Sequence, residues 1–146
     1  MGQRPVTAQD REWLATARRL AHRSLAPPAR CAGALARTAS GGHAGVAIEL
    51  DTVPGLSVCA EQVALSAARA AGEADIRALY LWLPAAAGAH PCGRCLQVWR
   101  ELAPQAPLWR QRGDGQPECL ILAELLPDPF GLDPAGREHP PSNAAS

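Results

Sequence analysis

Apolar positions recur at helical spacing near the start of the chain and then give way to short apolar runs. Trp13, Ala17, Leu20 and Ala21 form one stripe while Arg11, Arg18, Arg19 and Arg23 fall on other faces, which predicts a helix over residues 8–24. The Thr7 hydroxyl is placed to cap it, and Asp10 lies near the positive end of its dipole. Pro27-Pro28 closes it, because proline cannot continue a helix and restricts the residue before it. Residues 30–38 and 44–50 are small and apolar, and Ser40-Gly41-Gly42 between them suits a hairpin joining two strands. Beyond Pro54-Gly55 the period changes again. Val58, Ala60, Val63, Ala64, Ala67, Ala68 and Ala71 predict a helix over 58–71, apolar enough to be buried and stopped by Gly72. Residues 76–83 have the length of a buried strand, followed by a loop over 84–90. A further helix is expected from Pro91-Cys92 through Leu96, Val98, Trp99 and Leu102 to Pro104. Strands over 107–111 and 119–122, turned by Gly113-Asp114-Gly115, complete the pattern.

Strands alternating with helices after an opening hairpin argue for an α/β domain with a mixed sheet covered by helices. A chain of 146 residues suits one such domain, drawn here as 1–130, with a tail over 131–146 rich in Pro, Gly, Ser and Ala that is expected to be mobile. Charge narrows the partners. Lys plus Arg equals Asp plus Glu, 14 against 14, so no net field draws the protein to nucleic acid. Met1-Gly2-Gln3-Arg4-Pro5 is not followed by an apolar signal core, and no apolar run approaches the roughly 20 residues of a membrane span. A cytoplasmic location without membrane partners is the expectation. Five cysteines are an odd count, and in a reducing compartment a Cys-x-x-Cys points to metal or redox chemistry before a structural disulfide.

The candidate chemistry sits in Val58-Cys59-Ala60-Glu61-Gln62 and His90-Pro91-Cys92-Gly93-Arg94-Cys95. Three thiols suit a catalytic zinc, which takes three protein ligands and keeps the fourth position for water. Cys59 and Cys92 would each stand at a helix start, where unpaired N–H groups and the macrodipole favour a thiolate. Three thiolates on one Zn2+ leave a net charge of about −1, which weakens a Lewis acid unless it is offset. Arg94, between two of the thiols, is the candidate for that offset. Glu61, two residues from Cys59, is close enough to share the site without ligating, and is the candidate general acid and base.

Other readings of these residues exist. A closed structural zinc site normally has four protein ligands, and no fourth Cys or His stands at an obvious spacing. His90 is read as a loop residue. Cys31 and Cys119 lie in apolar strand candidates, where cysteine is most often a small core residue. A thiol redox motif is the remaining reading of Cys92-Gly93-Arg94-Cys95, but it leaves Cys59-Ala60-Glu61 unexplained.

A Cys or His two residues before a Glu, followed later by Pro-Cys-x-x-Cys, is the zinc deaminase signature. On it the chain resembles the cytidine deaminase family, including its small homotetrameric members and the related blasticidin deaminases. The likeness runs from about residue 35 to 130 and takes in Gly45-Val46, the Cys-Ala-Glu element, the alanine-rich helix, Pro-Cys-Gly-x-Cys with Gln97-Val98, and Leu125-Leu126-Pro127 before Phe130. It implies a three-layer α/β/α fold with a sheet of about five strands, one Zn2+ per chain on Cys59, Cys92 and Cys95, and a homotetramer. It further implies hydrolytic deamination of cytidine or deoxycytidine in pyrimidine salvage, with Glu61 protonating the ring nitrogen and the departing amine.

Three departures from the family stand out, and the last two concern the substrate. The family commonly carries Arg after the Glu to offset thiolate charge, where this chain has Gln62, so Arg94 is expected to share or take over that role. The family's Asn-x-Glu, whose side chains bind the ribose, corresponds to Ala47-Ile48-Glu49, one residue farther from Cys59 than usual. Glu49, Ala47 and Ala60 are the substrate-contact candidates, with Glu49 alone able to hydrogen-bond through its side chain. A Phe that commonly precedes the first strand is also missing, with Ala29 and Arg30 near its place. These changes bring in an alternative substrate, a blasticidin-type antibiotic or another aminated base. A non-catalytic zinc module is a further alternative, against which the retention of Glu61 argues.

Overall fold

The computed structural model describes residues 4–88 and 91–131. Its elements are α1 (Ala8–Ala21), β1 (Gly33–Thr38), β2 (Gly41–Val46), α2 (Ala60–Ala70), β3 (Ala78–Leu83), α3 (Gly93–Leu102), β4 (Leu108–Arg112), β5 (Glu118–Leu120) and a short α4 (Leu122–Leu125). The five strands form one mixed sheet in the order β2-β1-β3-β4-β5. Strand β1 pairs antiparallel with both β2 and β3, β3 pairs parallel with β4, and β5 returns antiparallel. The expected α/β architecture with its mixed sheet of five strands is the observed one.

Strand β3 shows why the apolar run around residue 80 is continuous. Leu79, Leu81 and Leu83 join the core that holds Ala60, Ala64, Leu65 and Ala68 of α2 with Leu96 and Trp99 of α3. Ala78, Tyr80 and Trp82 join the core on the opposite face, built on Leu14, Ala17 and Ala21 of α1. A strand buried on both faces has no polar side to alternate. The three layers follow, with α1 on one face and α2 and α3 on the other. Two glycines let the helices come close. A Cβ at Gly33 would overlap the Ala17 carbonyl of α1, and one at Gly45 would overlap the Ala60 carbonyl and Ala64 amide of α2.

Element ends differ from the pattern in instructive ways. Helix α1 stops at Ala21 rather than 24, because Leu25 leaves to bridge with Ile48 and the Ser24 hydroxyl donates to the Ala32 carbonyl at 2.9 Å. The second strand ends at Val46 rather than 50, since Ile48 turns from the hairpin to pair with Val58. The hairpin turn itself is Ala39-Ser40, with Gly41 already opposite Thr38. The run after Cys119 splits into a three-residue strand and α4, where one strand over 119–122 was expected. The tail over 132–146 and His90 lie outside the described residues. No helix among the described residues is long and apolar enough to cross a membrane.

Candidate active site

Strands β2 and β3 both run antiparallel to β1, so they point the same way, and the helices that follow them start at the same end of the sheet. This is where open α/β sheets place their ligands. Cys59 is the N-cap of α2 and Cys92 the N-cap of α3, each in extended backbone just before its helix. Cys95, fully buried, lies in the first turn of α3. The topology thus brings together residues 33 or more positions apart in sequence: Cys59 Sγ and Cys92 Sγ are separated by 3.9 Å.

The sulfurs of Cys59, Cys92 and Cys95 all lie within 4.8 Å of one another, a group that could hold a metal ion. Sulfurs bound at 2.3 Å to a tetrahedral zinc stand about 3.8 Å apart, so the spacing fits that ion. Charge favours it as well. The Cys59 thiol is lowered to about 5, first by hydrogen bonding from Cys95, then from Cys92 and from Arg94. Cys95 is correspondingly pushed up, because its proton is held by the bond to Cys59 in a buried setting. One anion is thus ready at the helix starts, and a divalent cation would displace the remaining protons. Arg94 is anchored by a 3.1 Å bond from Nη2 to the Ser57 carbonyl. Gln62 lies in the first turn of α2, with its Oε1 buried and no hydrogen-bond partner for that atom among the described residues.

Glu61 is the second residue of α2 and is 3% exposed. Burial pushes its carboxyl up to about 7, the negative charge of Cys59 adds to the rise, and its own backbone N–H pulls the other way. Its Oε1 is buried with no partner among the described residues. An uncompensated carboxylate oxygen at this depth is costly to a fold, and such groups concentrate where a ligand or a proton is handled.

A cavity of about 360 Å³ opens onto Cys59 and Glu61. Its walls are largely apolar, including Ala32, Ala47, Ala60 and Leu83, while Arg30, Glu49 and Arg94 add charge. The volume is in the range of small-ligand pockets. Ala47 and Ala60 thus contribute surface and no side-chain hydrogen bond. Glu49 stands at the rim, held by the Ile48–Val58 pairing next to Cys59, and takes a two-pronged ion pair from Arg30: Nε to Oε1 at 2.8 Å and Nη2 to Oε2 at 2.9 Å. That pair holds Glu49 below the usual carboxylate range. The sequence marked Arg30 only as standing near a missing aromatic ring. Its contact spans 19 residues, and nothing local signals it.

No family model matches the sequence. Comparison with solved structures does give matches. A cytidine deaminase from Mycobacterium tuberculosis is 30% identical, with 86% of this chain and 100% of that one covered at a TM-score of 0.67. This chain belongs to the cytidine deaminase family. The cytidine deaminase from Burkholderia pseudomallei superposes at a TM-score of 0.73 with 28% identity over 86% of this chain and 100% of that one. That from Mycobacterium leprae gives 0.63 at 26% identity over 84% and 99%. The cytidine deaminase fold therefore extends over most of the chain.

Proposed function

We propose that the protein is a zinc-dependent hydrolase that converts cytidine or deoxycytidine to the uracil nucleoside and ammonia, as in pyrimidine salvage. Cys59, Cys92 and Cys95 would hold one Zn2+ per chain, with Arg94 offsetting thiolate charge. The observation that carries this reading is the buried, unpartnered oxygen of Glu61, facing an apolar cavity beside three sulfurs at zinc spacing.

Zinc, when bound, supplies a water acidified towards neutrality as the nucleophile. Glu61 does the rest of the proton work. It accepts the proton released as the new C4–O bond forms and delivers it to the ring nitrogen N3. It then carries the remaining hydroxyl proton to the amine as the C4–N bond breaks, so water is consumed and ammonia leaves. Burial raises the proton affinity of this carboxyl above that of an exposed glutamate, which suits a group that must hold a proton between taking it and giving it. The apolar walls exclude bulk water from the ring.

The absence of a side-chain donor at Ala47 favours a second reading, in which the substrate is another cytosine-bearing molecule such as blasticidin S. Ammonia release from zinc-loaded protein given cytidine, deoxycytidine, cytosine and blasticidin S separately tests both, with Glu61→Gln as the blank. Turnover of the two nucleosides supports the first reading, and turnover of blasticidin S alone supports the second. A homotetramer belongs to the same proposal. Leu25, Val53 and Leu56 stand exposed, Leu25 bridged to the cavity-lining Ile48 and the other two next in sequence to the lining Pro54 and Ser57, an apolar surface that another copy would cover. Sedimentation of a species of four chains is expected, and a monomer would contradict it.

A further inference from the structure

Five side-chain atoms among the described residues are buried without a hydrogen-bond partner, and of these Glu61 Oε1 is the one that lines the cavity. The other polar side chains of the wall are engaged or wet. Arg30 is paired with Glu49, the Ser57 hydroxyl accepts from the Leu50 amide at 3.0 Å, Arg94 donates to the Ser57 carbonyl, and Asp51 is exposed to solvent. Ala32, Ala47, Ala60, Ala87 and Leu83 give the wall an apolar, mostly methyl surface that is continuous with the core. We propose that the site also takes cytosines whose ring nitrogen N1 carries an apolar group, alkyl or aryl, in place of a sugar. The inference rests on the deaminase reading above and widens its substrate class.

A wall built to read hydroxyls holds buried polar groups that go unpaired when the hydroxyls are missing, and that cost is what rejects an analogue without them. In this cavity the loss of hydroxyls strands no buried side chain. Glu61 needs only the ring and its amine, which every cytosine brings. N1 stands across the six-membered ring from C4, so its substituent points away from Glu61 and the sulfurs. An apolar substituent then leaves water for methyl walls, where each buried methylene is worth about fourfold in binding. The reaction is unchanged: water adds at C4, ammonia leaves, and the 1-substituted uracil is the product.

Ala32 and Ala47 set this preference together. Their pairing, Ala47 amide to Ala32 carbonyl at 3.1 Å, continues the β1–β2 register one step past Gly33 and Val46. Residues directly opposite in such a pair carry their side chains on the same face. The two methyl groups therefore form one patch of the cavity wall, and a polar atom on either would break it.

The test gives cytosine, cytidine and 1-methyl-, 1-ethyl-, 1-propyl- and 1-butylcytosine to zinc-loaded wild type, Ala47→Asn and Ala32→Ser, with Glu61→Gln as the blank. Turnover is read by ammonia release, and binding by calorimetry in the Glu61→Gln background. In wild type kcat/KM should rise about fourfold per methylene, mainly through KM, until 1-butylcytosine at least equals cytidine. The heat-capacity change of binding should grow more negative along the same series, as it does when apolar surface is buried. Ala47→Asn should lower the ratio of 1-butylcytosine to cytidine about tenfold, and Ala32→Ser should lower it in the same direction. Because each ratio is taken on one preparation, a partly folded variant leaves it readable. A flat or falling alkyl series, or an unchanged ratio in both variants, with cytidine still converted, overturns the inference and leaves the deaminase reading intact. No conversion of any of these compounds by wild type overturns both together.

Discussion

Two carboxylates are buried against opposite faces of the same sheet, near the starts of two helices, and they meet opposite environments. Asp10 of α1 is 5% exposed and Glu61 of α2 is 3% exposed. Asp10 has its partners. Thr7 donates to it from its amide at 3.0 Å and its hydroxyl at 2.7 Å, closing a capping box, and the buried Tyr80 hydroxyl donates at 2.7 Å. Burial raises its carboxyl, but these bonds outweigh that and hold it below the ordinary carboxylate range. Glu61 has a partnerless oxygen, and its carboxyl is pushed up to about 7. The same functional group is structural where its acceptors are filled and reactive where one is left open to a cavity.

Substitutions at the two carboxylates and their neighbours separate the two environments. Replacing Cys95 by Ser should have the largest effect, with zinc falling well below one per chain by elemental analysis and turnover falling to background. Glu61→Gln should lower turnover by about 10³-fold or more while zinc content and the unfolding midpoint stay near wild type. Asp10→Ala should do the reverse. Loss of the cap and of the partner for the Tyr80 hydroxyl costs about 2–3 kcal/mol in urea unfolding, with turnover per folded molecule unchanged. The contribution of Asp10 also sets a pH window. Its folded pKa is depressed, so its stabilisation is complete above about pH 4 and is lost as pH falls through the lower folded value. Asp10→Asn should therefore be less stable than wild type at neutrality and converge with it in acid. Tyr80→Phe, removing one of the three donors, should cost only about 1 kcal/mol by the same unfolding assay.

Much of the site was legible in sequence because its spacing is local. Cys59-Ala60-Glu61 and Cys92-Gly93-Arg94-Cys95 are short strings whose helix-start positions follow from the apolar period after them. The apolar run of β3 and the alanines of α2 announced buried elements for the same reason. What could not be read was set by long-range pairing. The pattern placed Asp10 near a helix dipole but gave no sign of Tyr80, 70 residues away. It ran the second strand to 50, where the bridge from Ile48 to Val58 redirects the chain and carries Glu49 to the cavity rim. The pairing of Arg30 with Glu49 belongs to the same class. Neither residue's neighbours specify it, and only the folded hairpin brings the two together.

Under the proposed function, the open oxygen of Glu61 beside the sulfurs of Cys59, Cys92 and Cys95 is what makes this chain a deaminase. The most direct test of this measures zinc content and cytidine-dependent ammonia release on the same preparations of wild type and Glu61→Gln. One zinc per chain is expected in both, with rapid ammonia release by wild type and almost none by the variant. Equal ammonia release by the two proteins at equal zinc content would contradict it.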